Sequence, residues 1–113
     1  MKMIVAVIQP DRLEEVRQAL TANEITRLTV SRCTGHGRHE DTELYRGSVV
    51  TPDLFPKVRL EIAVNDAFVQ PTIDAILAGA RHGEGQSGDG KIFVLPLEQV
   101  IRISNNEQGG EAI

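Results

Sequence analysis

Between Gly79 and Lys91 the chain reads GARHGEGQSGDGK, a stretch that holds five of its ten glycines and runs straight into Ile92, Phe93, Val94 and Leu95. Glycine at this density lets backbone N–H groups approach a ligand closely, and phosphate is the commonest ligand of such amide nests. Residues 85–91, GQSGDGK, nearly match the phosphate-binding loop of nucleotide hydrolases, but Ile92 stands where a Ser or Thr hydroxyl would hold Mg²⁺. A strand rather than a helix follows, so no helix dipole assists. Anion binding here must rest on amides, on the Lys91 ammonium and on cations from elsewhere; a plain surface turn is the competing reading. A second group, His36, His39, Glu40 and Asp41, has the side chains of a transition-metal site. Four polar residues in a loop are more often simply solvated, and no metal is expected. A small phosphohydrolase would need Asp89, Glu61 or His39 to activate water, and no carboxylate cluster with a paired base accompanies them.

The elements that must position these residues come from a chain of 113 residues, 41% hydrophobic, with 4% aromatics and no tryptophan. That suits one domain, 1–113, around an aliphatic core. A net charge of −4 without any cationic run argues against a nucleic-acid partner. Cys33 is the only cysteine, which excludes an internal disulfide. The opening MKMIVAVIQPD is too soon interrupted for a signal peptide, and no apolar stretch approaches the ~20 residues of a membrane span, so a cytoplasmic protein is expected.

Met3 to Ile8 reads as a strand buried on both faces or covered by a partner subunit, stopped by Pro10-Asp11. Leu13, Val16 and Leu20 recur at helical spacing up to Asn23, and residues 25 to 34 alternate as a second strand. The alternation is clearest where Val58, Leu60, Ile62 and Val64 oppose Lys57, Arg59, Glu61 and Ala63. Asn65-Asp66 offers a cap for a second helix with Pro71 in its first turn and Val69, Ile73, Ile76, Leu77 and Ala80 as its apolar stripe. A strand from Ile92 to Leu97 follows, then an apolar echo at Val100 to Ile103 and a polar tail, about 104–113, expected to be mobile. The order β-α-β-β-α-β predicts an α+β, ferredoxin-like sandwich with both helices on one sheet face. The strands carry few charges on either face, so the other face is expected to be covered by oligomerisation. Between the second and third strands run about twenty residues, 36–56, far beyond a hairpin's need and therefore expected to work as a binding loop.

Five segments in register resemble the PII nitrogen-regulatory signalling family: Gly35-His36-Gly37-Arg38 entering the long loop, Thr42 to Gly47 within it, Leu54 to Val58 leaving it, Gly88 to Val94, and Val100 to Ile103. The resemblance covers essentially the whole chain. It implies a homotrimer with ATP or ADP, and AMP as a further option, in three clefts between subunits beneath the long loop, the family's T-loop. Nucleotide-binding residues implied are Thr29, Gly35, Gly37, Arg38, Glu61, Ala63, Gly83, Gly88, Asp89, Gly90, Lys91 and Arg102. Gly88, Asp89, Gly90 and Lys91, in the loop 82–91, would wrap the phosphates through amides and one ammonium, and Arg38 and Arg102 would add guanidinium forks. Lys57 matches the residue that binds 2-oxoglutarate. Implied partners are ammonium channels and nitrogen-assimilation enzymes.

The departures concern the ligand. His39 stands where the family places a glutamine that ligates Mg²⁺ between ATP and the oxoacid, and histidine suits softer metals, which argues against a Mg-ATP-2-oxoglutarate complex. Ser104 replaces an arginine facing the terminal phosphates, and the loop 82–87 is about two residues longer than the family's common form. Val49-Val50 stands where Glu-Tyr would carry uridylylation, and Ser48 is the position that some cyanobacterial members phosphorylate. A variant sensing adenylate charge or bicarbonate is therefore the rival regulatory reading, and a purely structural trimer the bland one.

Overall fold

The computed structural model describes residues 1–36, 43–45, 48–50 and 54–113. In chain order the elements are β1 (Lys2–Ile8), α1 (Leu13–Ala22), β2 (Thr29–Gly35), β3 (Glu43–Tyr45), β4 (Ser48–Val50), β5 (Phe55–Val64), α2 (Val69–Ala80) and β6 (Gly90–Pro96). The apolar N-terminal run is central in a four-stranded sheet ordered β2-β5-β1-β6, antiparallel throughout. This is the ferredoxin-like arrangement expected from the pattern. Among the described residues, β3 and β4, both inside the long loop, pair with each other, Glu43 opposite Val50 and Tyr45 opposite Ser48.

Because opposed residues share a face, the register divides the sheet. Ile4, Ala6, Ile8, Val58, Leu60, Ile62 and Val64 turn to the helices and close the core with Val16, Leu20 and Ile76. The opposite face carries Met3, Val5 and Val7 along the middle, Lys57 to Ala63 beside them, and Lys91, Phe93 and Leu95 at the edge. Phe93 and Leu95 are 49% and 46% exposed, so this face holds an uncovered apolar strip. Among the described residues no helix is long and apolar enough to cross a membrane.

Three departures from the periodicity have local causes. The second strand begins at Thr29 rather than at residue 25, because α1 ends in a double-bonded cap: Ile25 N–H reaches Leu20 O at 2.9 Å and Glu24 N–H reaches Thr21 O at 2.9 Å. Ile25 is thereby folded back into the core beside Leu20. Glu24 adopts φ 62°, the left-handed conformation that glycine usually supplies in this cap. Glu24→Gly is therefore expected to raise stability by about 1 kcal/mol, read as a higher urea midpoint with an unchanged denaturant slope. A lower midpoint would show that the glutamate side chain outweighs its backbone strain.

The second departure is in α2. Its buried side is Thr72, Ala75, Ile76, Gly79 and Ala80, whereas Leu77 is 39% exposed and Ile73 half-buried. Ile76 and Ala80 of the expected stripe are buried as expected, but the stripe is rotated because Gly79, rather than Leu77, meets α1 beside them. A Cβ on Gly79 would stand 2.6 Å from the Val16 Cα. Thr72 is buried without penalty, its hydroxyl donating to Phe68 O at 2.7 Å.

Third, residues 104–113, expected to be mobile on composition, follow a hydrogen-bonded path. Ile101 bridges Gln108, Asn106 N–H donates to Arg102 O at 2.9 Å, and a single helical turn occupies Gly109–Ala112. Arg27 donates to Ile113 O at 2.8 Å and Asn65 to Gly110 O at 3.0 Å. Polar composition reports the lack of apolar burial; it is silent about backbone pairing.

Candidate functional site

The glycine-rich loop leaves α2 at Arg81 and returns at Gly90, opposite Ile8 of the central strand. Gly90 has φ 120°, and a Cβ there would lie 1.9 Å from Val7 O, so no other residue brings the chain this close to β1. Asp89 organises the turn before it. Its carboxylate accepts the Gln86 N–H at 2.8 Å and the His82 N–H at 3.2 Å, and pairs with His82 Nδ1 at 2.6 Å. Burial opposes the Asp89 charge, but the Gln86 amide and the His82 ring and amide together hold its pKa below the ordinary carboxylate value. The Asp89 amide itself donates to Gln86 O at 3.2 Å. The sequence suggested amides of residues 88–91 as ligand donors; at Asp89, both amide and carboxylate serve the loop's own shape. From β1 the loop is tied by Gln9, which donates to Gly88 O at 2.7 Å.

Lys91 follows on the uncovered face, exposed and paired with no carboxylate among the described residues. Lys57 shares that face and that end of the sheet, one residue beyond the row that aligns Val58, Ile8 and Gly90. It is 8% exposed, lies opposite Cys33, packs its Cγ near Gly35, and makes no ion pair among the described residues. A nearly buried ammonium with no anion paired to it among the described residues carries a desolvation cost that an anion beside it would offset. Gly35 ends β2 directly beside it.

Of the other predicted residues, Thr29, Glu61, Ala63 and Arg102 lie towards the opposite end. Glu61 sits opposite Thr29 and forms an ion pair with Arg59 at 3.1 Å. Ala63, opposite Met3, opens on a cleft of about 350 Å³ walled by the chain from Glu24 to Arg27 and by Asn65 and Phe68. Thr26 and Arg27 have no sequence signal; only the fold of the α1 cap brings them here. Arg102 is held in the C-terminal turn, bonded to Glu107 Oε2 at 2.9 Å and Glu111 O at 3.1 Å. Gly83 is in the loop at φ 58° with open space around it. The structure thus gathers Gly35, Lys57, Gly88, Asp89, Gly90 and Lys91 at one end, and separates them from Thr29, Glu61, Ala63 and Arg102. Gly37, Arg38 and His39 lie outside the described residues, as do Glu40 and Asp41 of the suggested metal group; Ser48 is in β4. Among the described residues, no group of three His, Cys, Asp or Glu side chains is placed to hold a metal ion.

A family model described as "Nitrogen regulatory protein P-II" matches residues 1–107. The chain belongs to the P-II family. It is 50% identical to nitrogen regulatory protein GlnK1 of Methanosarcina mazei over 100% of this chain and 97% of that one. It is also 46% and 45% identical to the nitrogen regulatory proteins P-II of Azospirillum brasilense and Rhodospirillum rubrum, with both chains of each pair covered completely. These relatives are named as regulators, and this P-II protein is accordingly a nitrogen-regulatory signalling protein and not an enzyme. The resemblance first read from five short segments is therefore a property of the whole chain.

Proposed function

We propose that this P-II protein is a homotrimeric sensor of adenine nucleotides. ATP or ADP seats between subunits, and its occupancy selects the conformation of the arm 36–56, which engages a nitrogen-metabolism target such as an ammonium channel or an assimilation enzyme. One observation carries the reading: a single chain presents two complementary half-sites that do not meet. Lys91 lies opposite Val7 and Ala63 opposite Met3, four residues apart along β1, or about 14 Å at strand rise. One half is glycine loop and two ammonium groups that make no ion pair among the described residues, suited to phosphates; the other is a cleft bordered by backbone and an arginine, suited to a base and ribose. Two copies packed through the uncovered Phe93 and Leu95 face would set one half against the other. Lys57 is the seat proposed for the carboxylate of 2-oxoglutarate.

The test is calorimetry with ATP, ADP and AMP, each with and without Mg²⁺ and 2-oxoglutarate, alongside light-scattering mass. A trimer that binds an adenylate is expected, and Lys91→Ala should weaken ATP about tenfold or more, the worth of one charge-assisted bond. A monomer, or no heat with any adenylate at millimolar dose, sinks the reading. A second reading, adenylate-charge or bicarbonate sensing, is favoured by Arg102 being engaged with Glu107 and Glu111 while Ser104 adds no cation. Under that reading ATP and ADP bind equally, and 2-oxoglutarate adds nothing.

A further inference from the structure

His82 stands two residues beyond the end of α2, and both of its ring nitrogens face carboxylates. Nδ1 lies 2.6 Å from Asp89 Oδ1, and Nε2 lies 3.0 Å from Asp11 Oδ2. A neutral imidazole has one N–H and one lone pair, whereas ionised carboxylates only accept. Both contacts can be hydrogen bonds together only in the imidazolium form. The partners belong to different parts of the molecule: Asp89 to the glycine-rich loop, Asp11 to the turn Pro10–Arg12 between β1 and α1. Asp89 is also the acceptor of the Gln86 and His82 amides. The ring therefore neutralises the very carboxylate around which the loop is folded, and ties it to the turn.

The charges around the ring are few. The turn contributes Asp11 and Arg12, and the latter faces away, its Nε donating to Gly79 O at 2.8 Å at the negative end of α2. The loop contributes Asp89, with Arg81 and Glu84 as its other charged residues. β1 contributes the neutral Gln9 at its end. In the polar cleft of about 410 Å³ beside the ring, the ionisable groups are Asp11, His82 and Asp89.

We propose that His82 is a positioning residue whose charge sets the shape of the glycine-rich loop and, through it, the affinity of that loop for anions. Hydrogen bonds accepted by Asp11 first and Asp89 second raise the His82 pKa above its ordinary 6.5, against a smaller opposing effect of burial. A raised value means that the latch is complete below the ordinary pKa and is lost as pH rises through the folded one. Once the proton leaves, Asp89 loses the cation hydrogen-bonded to it, and its charge stands uncompensated by the ring in a cleft that it lines with Arg81, Gly90 and Lys91, the loop offered to phosphate. Anion affinity falls with rising pH. This last step rests on the nucleotide reading above; the latch itself does not.

NMR of the whole protein between about pH 5 and 9, the range in which imidazole titrates, tests both parts. The His82 ring should titrate above free imidazole, and the Gln86 amide should follow with the same midpoint. Asp11→Asn, an exposed substitution, should lower the ring midpoint and carry the Gln86 profile with it, and His82→Gln should leave that amide without a pH response. ATP affinity should fall roughly fivefold or more across the midpoint, and by reciprocity a fivefold effect means that saturating ATP raises the midpoint by about 0.7 pH unit. A Gln86 amide that ignores the ring midpoint, in wild type or in Asp11→Asn, overturns the latch. ATP binding that is independent of pH while ring and amide move together overturns the link to anions. If ring and amide move together and no adenylate binds at any pH, the nucleotide reading fails and the latch stands.

Discussion

Gly90→Ala is expected to cost on the order of 3–5 kcal/mol of folding stability, a large fraction of what a domain of this size has. Two effects add. The backbone at φ 120° is outside the regions open to an L-residue, worth roughly 1–3 kcal/mol. The new Cβ would also lie 1.9 Å from Val7 O, 3.0 Å from Val7 C and 3.2 Å from Ile8 Cα. These are backbone atoms of the central strand and cannot rotate away. The β1–β6 ladder must part at its Ile8–Gly90 end, and with it goes the seat of Gly88 against Gln9. Gly83→Ala supplies the control: φ is 58° and nothing lies within 4 Å of the added carbon, so only the left-handed cost of about 1 kcal/mol applies. Urea unfolding of both variants separates strain from collision. Equal losses would mean that close approach to Val7 is not why residue 90 is glycine.

The parts of this fold legible in the sequence are those where one residue type repeats on one face. β5 alternates because one face is the core side, and its buried apolar set, Val58, Leu60, Ile62 and Val64, is the set that the alternation names; Lys57, buried on the other face, is the residue that the alternation misplaces. β1 reads as a continuous apolar run because Val5 is buried on one side and Ile4 and Ala6 on the other. Where small residues make the contact, hydropathy misleads: Leu77 outranks Gly79 on any scale, yet Gly79 faces α1. The paired strands β3 and β4 have three residues each, too few for any period to register. In the candidate site, the glycine loop announces itself by composition, whereas Glu61 and Ala63 are expected there only through family resemblance. The His82 latch joins residues 71 positions apart, and no local pattern encodes such a pair.

Gly79→Ala is the second large effect expected, and its sign is the point. In a helix interior alanine normally stabilises over glycine by roughly 0.5–1 kcal/mol, because glycine loses more backbone entropy on folding. Here the added carbon would stand 2.6 Å from Val16 Cα, 2.8 Å from Val16 N and 2.9 Å from Glu15 O. All three are main-chain atoms of α1, so relief requires α1 and α2 to separate, opening the core that Val16, Leu20 and Ile76 close. Overpacking of this kind costs about 1–3 kcal/mol or more, which outweighs the helix gain and leaves a net loss of roughly 1–2 kcal/mol. The loss reaches the loop as well. Arg12 holds the Gly79 carbonyl at 2.8 Å, and the turn that carries Arg12 also carries Asp11, the outer partner of His82. Parting the helices therefore moves one end of the latch, and the His82 midpoint should fall in Gly79→Ala even though the substitution touches neither carboxylate. A more stable Gly79→Ala, by urea midpoint, would show that the helices already have room, and that the exposed position of Leu77 needs another cause.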